Sequence, residues 1–363
     1  MSAQYILYGG KLSYYTGKAR AYLRWKGIPF EERQATNEVY QTIIIPRIGY
    51  PMIPLLITPE DKAIQDTTEI IDYFEQNDTG PSILPPGPAQ RFAAHLLELY
   101  GDEWLLIPAL HYRWAYNEAF ALGEFGELVL PNASEDAQLA AAEKASAMFR
   151  GAMPLLGITP EMIPAIERSY LALLSELNTH FSAHQYLLGD RPSIGDFGLI
   201  GPLYAHLYRD PASGDIMKKH APAVAAWVER MHEPPAPQTG EFLPDDEIPE
   251  TLLPVLNRMM AEQGPCLIDM PEKLSSWKDE NPELEIPRAI GMHPFSIEGT
   301  PGQRVIVPYA QWMLQRAIDY ASSVQGEDRK SIETLAEKIG ATDVLNVKID
   351  APVMRKNYKL FWA

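Results

Sequence analysis

The chain has a single cysteine, Cys266, among its 363 residues. That excludes an intrachain disulfide framework and suits a reducing compartment. Long apolar runs are missing as well. The best, over residues 43–57, is interrupted by Pro46, Arg47, Pro51 and Pro54, and a bilayer span needs about 20 uninterrupted residues. Positive charge is scarce: 31 Lys and Arg stand against 48 Asp and Glu, for a net charge of −17 at pH 7. Such a chain repels polyanions, so neither nucleic acid nor an acidic membrane surface is an expected partner. A strand-like run begins almost at Met1 and leaves no room for a signal peptide, so a cytoplasmic protein is expected. What is present is globular: 46% hydrophobic and 22% charged residues, no low-complexity tract, and length for two or three domains.

Residues 5–30 organise the rest of the reading. An apolar run of strand composition, Tyr5 to Tyr8, leads into two glycines and a polar loop holding Ser13, Tyr14 and Tyr15. A helical pattern then covers residues 17–26, with Ala19, Tyr22, Leu23 and Trp25 supplying the apolar face. Gly27 stands where a helix-ending glycine belongs, and Pro29 forbids further helix as a second strand starts. A hydroxyl therefore sits just before a helix N-terminus, where unpaired N–H groups favour an anion. Ser13 is readable as a simple N-cap. That is the default for a serine before a helix; the functional alternative is a donor that stabilises a bound thiolate and lowers its pKa. Lowering a thiol from about 8.5 by two units takes about 2.7 kcal/mol, within reach of one good hydrogen bond plus a helix dipole.

The run Ser13-Tyr-Tyr-Thr-Gly-Lys-Ala-Arg20, followed by Lys26-Gly-Ile-Pro-Phe30, resembles the Ser-Pro-Tyr-x-x-Lys-Val-Arg … Lys-Gly-Ile-Pro-Tyr opening of the glutathione S-transferase superfamily, in its bacterial-type, serine-type form. Pro46-Arg-Ile-Gly-Tyr-Pro-Met-Ile-Pro-Leu-Leu56 is similar to that family's Gly-x-Val-Pro-x-Leu segment, and Ile64-Gln-Asp-Thr-Thr-Glu-Ile-Ile-Asp-Tyr-Phe74 to its Leu-x-Glu-Ser-x-Ala-Ile-x-x-Tyr-Leu run. Departures are Tyr14 in place of the usual Pro, Asp66-Thr67 in place of Glu-Ser, and a small insertion at Tyr50-Pro-Met. The resemblance implies an α/β thioredoxin-like N-terminal domain over residues 1–80 that binds glutathione. An all-α glutathione-transferase-like C-terminal domain follows over residues 90–232. By the same resemblance Pro54 is a cis-proline, and the backbone of Ile53 beside it pairs with the cysteinyl part of glutathione. Asp66 and Thr67 would hold its γ-glutamyl group, although read alone they are a helix cap. Tyr8 resembles the position used by tyrosine-type members, and Tyr14 or Tyr15 would share the thiolate contact or take it over. A thioredoxin-like domain without cysteine needs a borrowed thiol, which rules out the cysteine-type branch.

Residues 55–58 and 62–64 read as a hairpin, and a helix with Ile70, Ile71, Tyr73 and Phe74 on its apolar face follows Asp66. Residues 77–88 form a turn-rich linker. Beyond it the pattern is helical to His232 with no convincing strand. Tyr100, Trp104, Ile107, His111, Trp114 and Glu118 mark one face of a helix with Pro108 inside. In the family the corresponding helix borders the substrate pocket, so Tyr15, Trp104 and His111 are pocket candidates; an aromatic stripe is otherwise core. Helices are expected over 133–149 and 161–184, and Ser193 and Asp196 have capping-box spacing before another.

The resemblance ends near His232, at a proline-rich joint over residues 233–240. Residues 241–363 read as an additional α+β extension. It has helices over 250–263 and 270–278, with Pro265 and Pro271 as starts, and a hairpin of 288–297 with 303–307 around Gly299–Gly302. Helices over 308–324 and 328–339 follow, then a basic, aromatic tail over 354–362. It holds no metal-ligand spacing, nucleophile motif or phosphate loop, and no metal is expected. His293, Arg304, Gln311, Trp312 and Arg316 are packing residues by default, with a lid or a subunit interface as the alternatives. The expectation is thus a glutathione-dependent transferase or lyase, homodimeric as the family usually is. Its thiolate would attack a small hydrophobic or aromatic electrophile by conjugation, ether cleavage, dehalogenation or isomerisation. A non-catalytic binding or scaffold protein of the same fold is the alternative.

Overall fold

Strand β1 (Tyr5–Gly9) carries aromatic and branched residues and buries its last three positions. The computed structural model of the protein describes residues 4–77, 80–234 and 240–363, and sets β1 inside a four-stranded sheet. Helix α1 (Tyr14–Trp25) connects β1 to its parallel neighbour β2 (Phe30–Gln34), as a parallel pair requires. Helical turns over residues 37–48, in the stretch leading to the proline-rich segment, were not foreseen. Strands β3 (Leu55–Ile57) and β4 (Ala63–Gln65) then add antiparallel neighbours, giving the order β2–β1–β3–β4. Helix α2 (Thr67–Asn77) follows directly. The start of α1 lies earlier than residue 17 because Ser13 caps it; Gly27 (φ 67) ends it as expected.

The helical region comprises α3 (Pro88–Leu99), α4 (Leu106–Tyr116), α5 (Glu118–Val129), α6 (Glu135–Ala152), α7 (Ile163–Ala183), α8 (Ile194–Ala205), α9 (Pro211–His220) and α10 (Pro222–His232). The stripe read as one helix through Pro108 is broken: a π-helical turn, Tyr100–Trp104, separates α3 from α4, and a further break separates α4 from α5. Close packing accompanies the break. A Cβ on Gly101 would lie 2.3 Å from the carbonyl oxygen of Gly198. The expected cap before α8 is present, with Asp196 accepting from the Ser193 N–H (2.8 Å) and hydroxyl (2.9 Å).

The extension contains α11 (Leu253–Glu262), α12 (Gly264–Glu280), the hairpin β5 (Ile290–Ile297) and β6 (Thr300–Ile306), α13 (Pro308–Ser323), α14 (Gly326–Ile339), and a second hairpin of β7 (Val353–Lys356) and β8 (Lys359–Trp362). Three expectations change here. Helix α12 starts at Gly264 with Pro265 in its first turn and runs on through Pro271, which is no helix start. The first hairpin turns at Glu298–Gly299, both at positive φ, rather than over Gly299–Gly302. The tail is a hairpin whose turn, Asn357–Tyr358, also has positive φ at both residues. His293, Arg304 and Gln311 are buried, and Gln311 donates to the Ala351 carbonyl at 2.8 Å, so they pack within the fold.

The chain divides into two compact units: Met1–Ser82 with Ala109–Ala152 and Ile200–Thr239, and Ile83–Pro108 with Met153–Leu199 and Gly240–Ala363. Asp78 and Thr79 of the linker and residues 235–239 of the joint lie outside the described residues. No helix among the described residues is long and apolar enough to cross a membrane.

Candidate active site

The strand register gathers the chemistry of the first unit. Tyr8 pairs with Leu55, and Leu55 pairs with Gln65. The segment after β1, the segment before β3 and the segment after β4 therefore emerge at one end of the sheet, from neighbouring strands spaced about 4.8 Å apart. Those segments hold Ser13, Ile53–Pro54 and Asp66–Thr67.

Ser13 is half-buried and extended (φ −78, ψ 124), and its Oγ accepts from the Thr16 N–H at 3.2 Å. The hydroxyl proton has no acceptor among the described residues. Gly9 makes this turn possible, since a Cβ there would meet the Thr16 side chain at 2.3 Å. The Ile53–Pro54 bond is cis. Ile53 is half-buried, and its N–H and C=O have no hydrogen-bond partner among the described residues. Asp66 sits at φ 92, a conformation that costs a non-glycine residue about 1–3 kcal/mol. Its Oδ1 caps α2, accepting from Thr68 N (2.9 Å) and Glu69 N (3.4 Å). The buried Thr67 opens the 11-residue helix with an N–H and a hydroxyl that have no partner among the described residues. Lys18, buried in α1, donates to Thr68 Oγ1 at 3.3 Å. A hydroxyl proton, a backbone pair and a helix N-terminus thus stand ready at one sheet end. That set suits an extended peptide with a carboxylate and an anionic sulfur.

The other candidates are differently engaged. The Tyr8 hydroxyl lies 3.5 Å from Arg33 Nη1. Tyr14 is buried, with its ring at 4.8 Å from Tyr15 and 5.6 Å from His206 and its edge against Gly201. Tyr15 is half-buried. His111 is buried between Tyr112 and Tyr116. Trp104 belongs to the second unit. There its N–H donates to Glu262 Oε2 at 3.3 Å and the Arg304 guanidinium lies 4.8 Å above its ring. It lines a small cleft, with room for little more than one water, together with Tyr100, Ser169, Tyr170 and Glu262. Burial pushes the Glu262 carboxyl up, opposed by the Ser169 hydroxyl and Arg258.

Three residues beside the serine loop escaped the sequence reading. Arg113 donates to Leu12 O (2.9 Å) and Ala205 O (2.6 Å), and forks onto Asp210 at 2.7 and 2.8 Å. His206 is buried next to the Leu12 carbonyl, and burial together with Arg113 holds its pKa well below the ordinary value. Nothing local marks these positions, since Arg113 and Asp210 stand 97 residues apart.

The sheet with its cis-proline end, followed by helices, defines a thioredoxin-like domain joined to an all-helical one. Residues 7–82 match the family model described as the glutathione S-transferase N-terminal domain, and residues 160–230 the model for the C-terminal domain. Residues 7–82 and 160–230 thus carry the two domains of the glutathione S-transferase superfamily. Among solved structures it is similar to a glutathione S-transferase from Rhodospirillum rubrum F11 (17% identity, 68% of this chain and 97% of that one, TM-score 0.42). It is similar to the beta-etherase LigF of Sphingobium sp. strain SYK-6 (20% identity, 65% and 97%, TM-score 0.45). A third is a glutathione S-transferase of Methylobacterium radiotolerans in complex with glutathione sulfonate (20% identity, 64% and 92%, TM-score 0.39). No curated protein matches the chain. The family assignment rests on the two domain models.

Proposed function

We propose that the protein is a glutathione-dependent transferase in which Ser13 stabilises the thiolate. The observation that carries this reading is the set of polar groups without partners among the described residues at one sheet end: the Ser13 proton, the Ile53 backbone pair, and the Thr67 N–H and hydroxyl. Bound glutathione supplies a thiol whose ionised form is a nucleophile toward a small apolar or aromatic electrophile. Ile53 offers the N–H and C=O that an extended cysteinyl residue needs. Thr67, at the positive end of α2, holds the γ-glutamyl carboxylate, and Asp66 holds the ammonium as well as capping the helix. Ser13 donates a hydrogen bond to the sulfur while keeping its proton, and the N-terminus of α1 adds its dipole, so the charged form is favoured. Two observations support Ser13 over its neighbours: the contact of the Tyr8 hydroxyl with Arg33 and the burial of Tyr14 against Gly201. Homodimer formation is part of the same reading and is checked by light scattering.

Calorimetry and thermal melting with reduced glutathione test the proposal. A folded-state ligand at 100 times its Kd raises stability by about 2.7 kcal/mol, so the midpoint must rise. An ultraviolet titration of the bound thiol should find a pKa below the usual value of about 8.5. Absence of both heat and midpoint shift would leave the scaffold reading in place of the enzyme.

A further inference from the structure

The peptide unit between Leu12 and Ser13 is held from both sides. Its carbonyl, Leu12 O, accepts from Arg113 Nη1 at 2.9 Å. Its N–H, on Ser13, donates to Gly10 O at 3.0 Å. Gly10 O in turn lies 3.4 Å from Nη2 of Arg20, whose guanidinium forks onto Glu32 at 2.6 and 2.7 Å. A peptide unit is planar and rigid, so anchoring both ends fixes the backbone angle that aims the Ser13 side chain.

Asp210 shows where the local alternatives were passed over. It occupies the N-cap position of α9, yet its carboxylate makes no cap hydrogen bond and goes to Arg113 instead. The cap is supplied from elsewhere: Asn117 Oδ1 accepts from Ala212 N at 2.8 Å. A buried ion pair is a poor device for stability alone, because removing two charges from water offsets most of their attraction. Its planar fork is a good device for fixing one carbonyl in one place.

We infer that Arg113, oriented by Asp210, is a positioning residue that holds the Leu12–Ser13 peptide so that the Ser13 hydroxyl faces the glutathione sulfur. This rests on the reading of Ser13 as the thiolate contact. Arg113 touches no reacting atom; it acts through the backbone of the serine.

The test compares wild type with Arg113→Lys, which keeps the charge but loses the fork, and Asp210→Asn, which keeps the shape but loosens the guanidinium. Each is titrated with glutathione bound, and its kcat and KM are measured across pH. Release of the peptide unit should raise the bound-thiol pKa by about one unit, a tenfold loss of thiolate below it. kcat should fall by the same factor near neutral pH and recover at high pH, while KM for glutathione stays within about twofold, because Ile53 and Thr67 are untouched. A folded variant pair with the wild-type bound-thiol pKa overturns the assignment. Loss of the fold in both variants also overturns it, by making the pair a stability element. A wild-type protein whose bound thiol is not lowered defeats the Ser13 reading itself, which separates the two failures.

Discussion

Replacing Ser13 separates the cap its oxygen makes from the thiolate contact proposed for it. As N-cap, the Oγ accepts from Thr16 N at 3.2 Å at the start of the 12-residue α1. Loss of such a cap to Ala costs about 1 kcal/mol, whereas Gly in its place costs only a few tenths. As donor to a thiolate, the same hydroxyl makes a hydrogen bond to a charged group, worth about 1.5–3 kcal/mol. That equals about one to two units in the bound-thiol pKa and about a 10- to 100-fold fall in kcat/KM near neutral pH. Ser13→Ala should therefore lose both stability and thiolate, and Ser13→Gly should lose the thiolate while keeping most of the stability. Ser13→Thr keeps the hydroxyl and should keep both. The assay pairs denaturant unfolding with the ultraviolet pH titration of bound glutathione and with turnover of an aromatic electrophile. The reasoning fails if Ser13→Gly retains the wild-type bound-thiol pKa, or if activity in the three variants simply follows their stability. Wild-type activity in Ser13→Ala with loss in Tyr8→Phe or Tyr14→Phe would move the thiolate contact to a phenol.

Asp246→Ala should destabilise the second unit by about 2–3 kcal/mol, because the carboxylate accepts from Ala89 N (2.8 Å) and Gln90 N (2.9 Å) at the start of α3, and from the Ser331 hydroxyl. Asp246→Asn should recover part of that, and a change below about 0.5 kcal/mol in denaturant unfolding would contradict the capping role. His180 titrates in the acid range: burial lowers it from the ordinary 6.5 to about 4. Its Nε2 faces the Tyr186 carbonyl (3.2 Å), which can only accept, so Nδ1 accepts from the Thr251 hydroxyl (2.9 Å) and the ring is neutral. The unfolded chain takes up the proton first, so this contribution is complete above pH 6.5 and declines as pH falls from 6.5 through 4. The full loss is about 3 kcal/mol. Melting midpoints of His180→Gln against wild type should converge over that window, and parallel acid profiles would refute the buried neutral ring.

The residues legible in the sequence share one property: their role is set by neighbours a few positions away. Ser13 caps the helix that follows it, Gly27 ends that helix at φ 67, Pro54 is cis, and Asp66 turns directly into α2. Turn chemistry, capping and the strand–loop–helix order are local, while the cis-proline and the domain type come from the resemblance those segments carry. Where the reading went astray, a distant partner or an unmarked turn had decided the outcome. The stripe from Tyr100 to Glu118 has the right period for one helix. Its register is broken at the π-helical turn where Gly101 meets the Gly198 backbone, almost a hundred residues on. The hairpin in the basic, aromatic tail carries no turn signal in the sequence, because Tyr358 is an unusual residue for a two-residue turn at positive φ. Asp246 caps a helix that begins well over a hundred residues earlier, so no window on either segment contains both donor and acceptor. Arg113 makes the point most sharply for the candidate site. Within His111-Tyr-Arg-Trp114 it reads as one more cation on a helix, and only Asp210 and the Leu12 carbonyl turn it inward. A guanidinium buried beside the serine loop needs its counter-charge before its position has any meaning. The groups that would touch the ligand are thus written locally, while the group that would aim them is written across the chain.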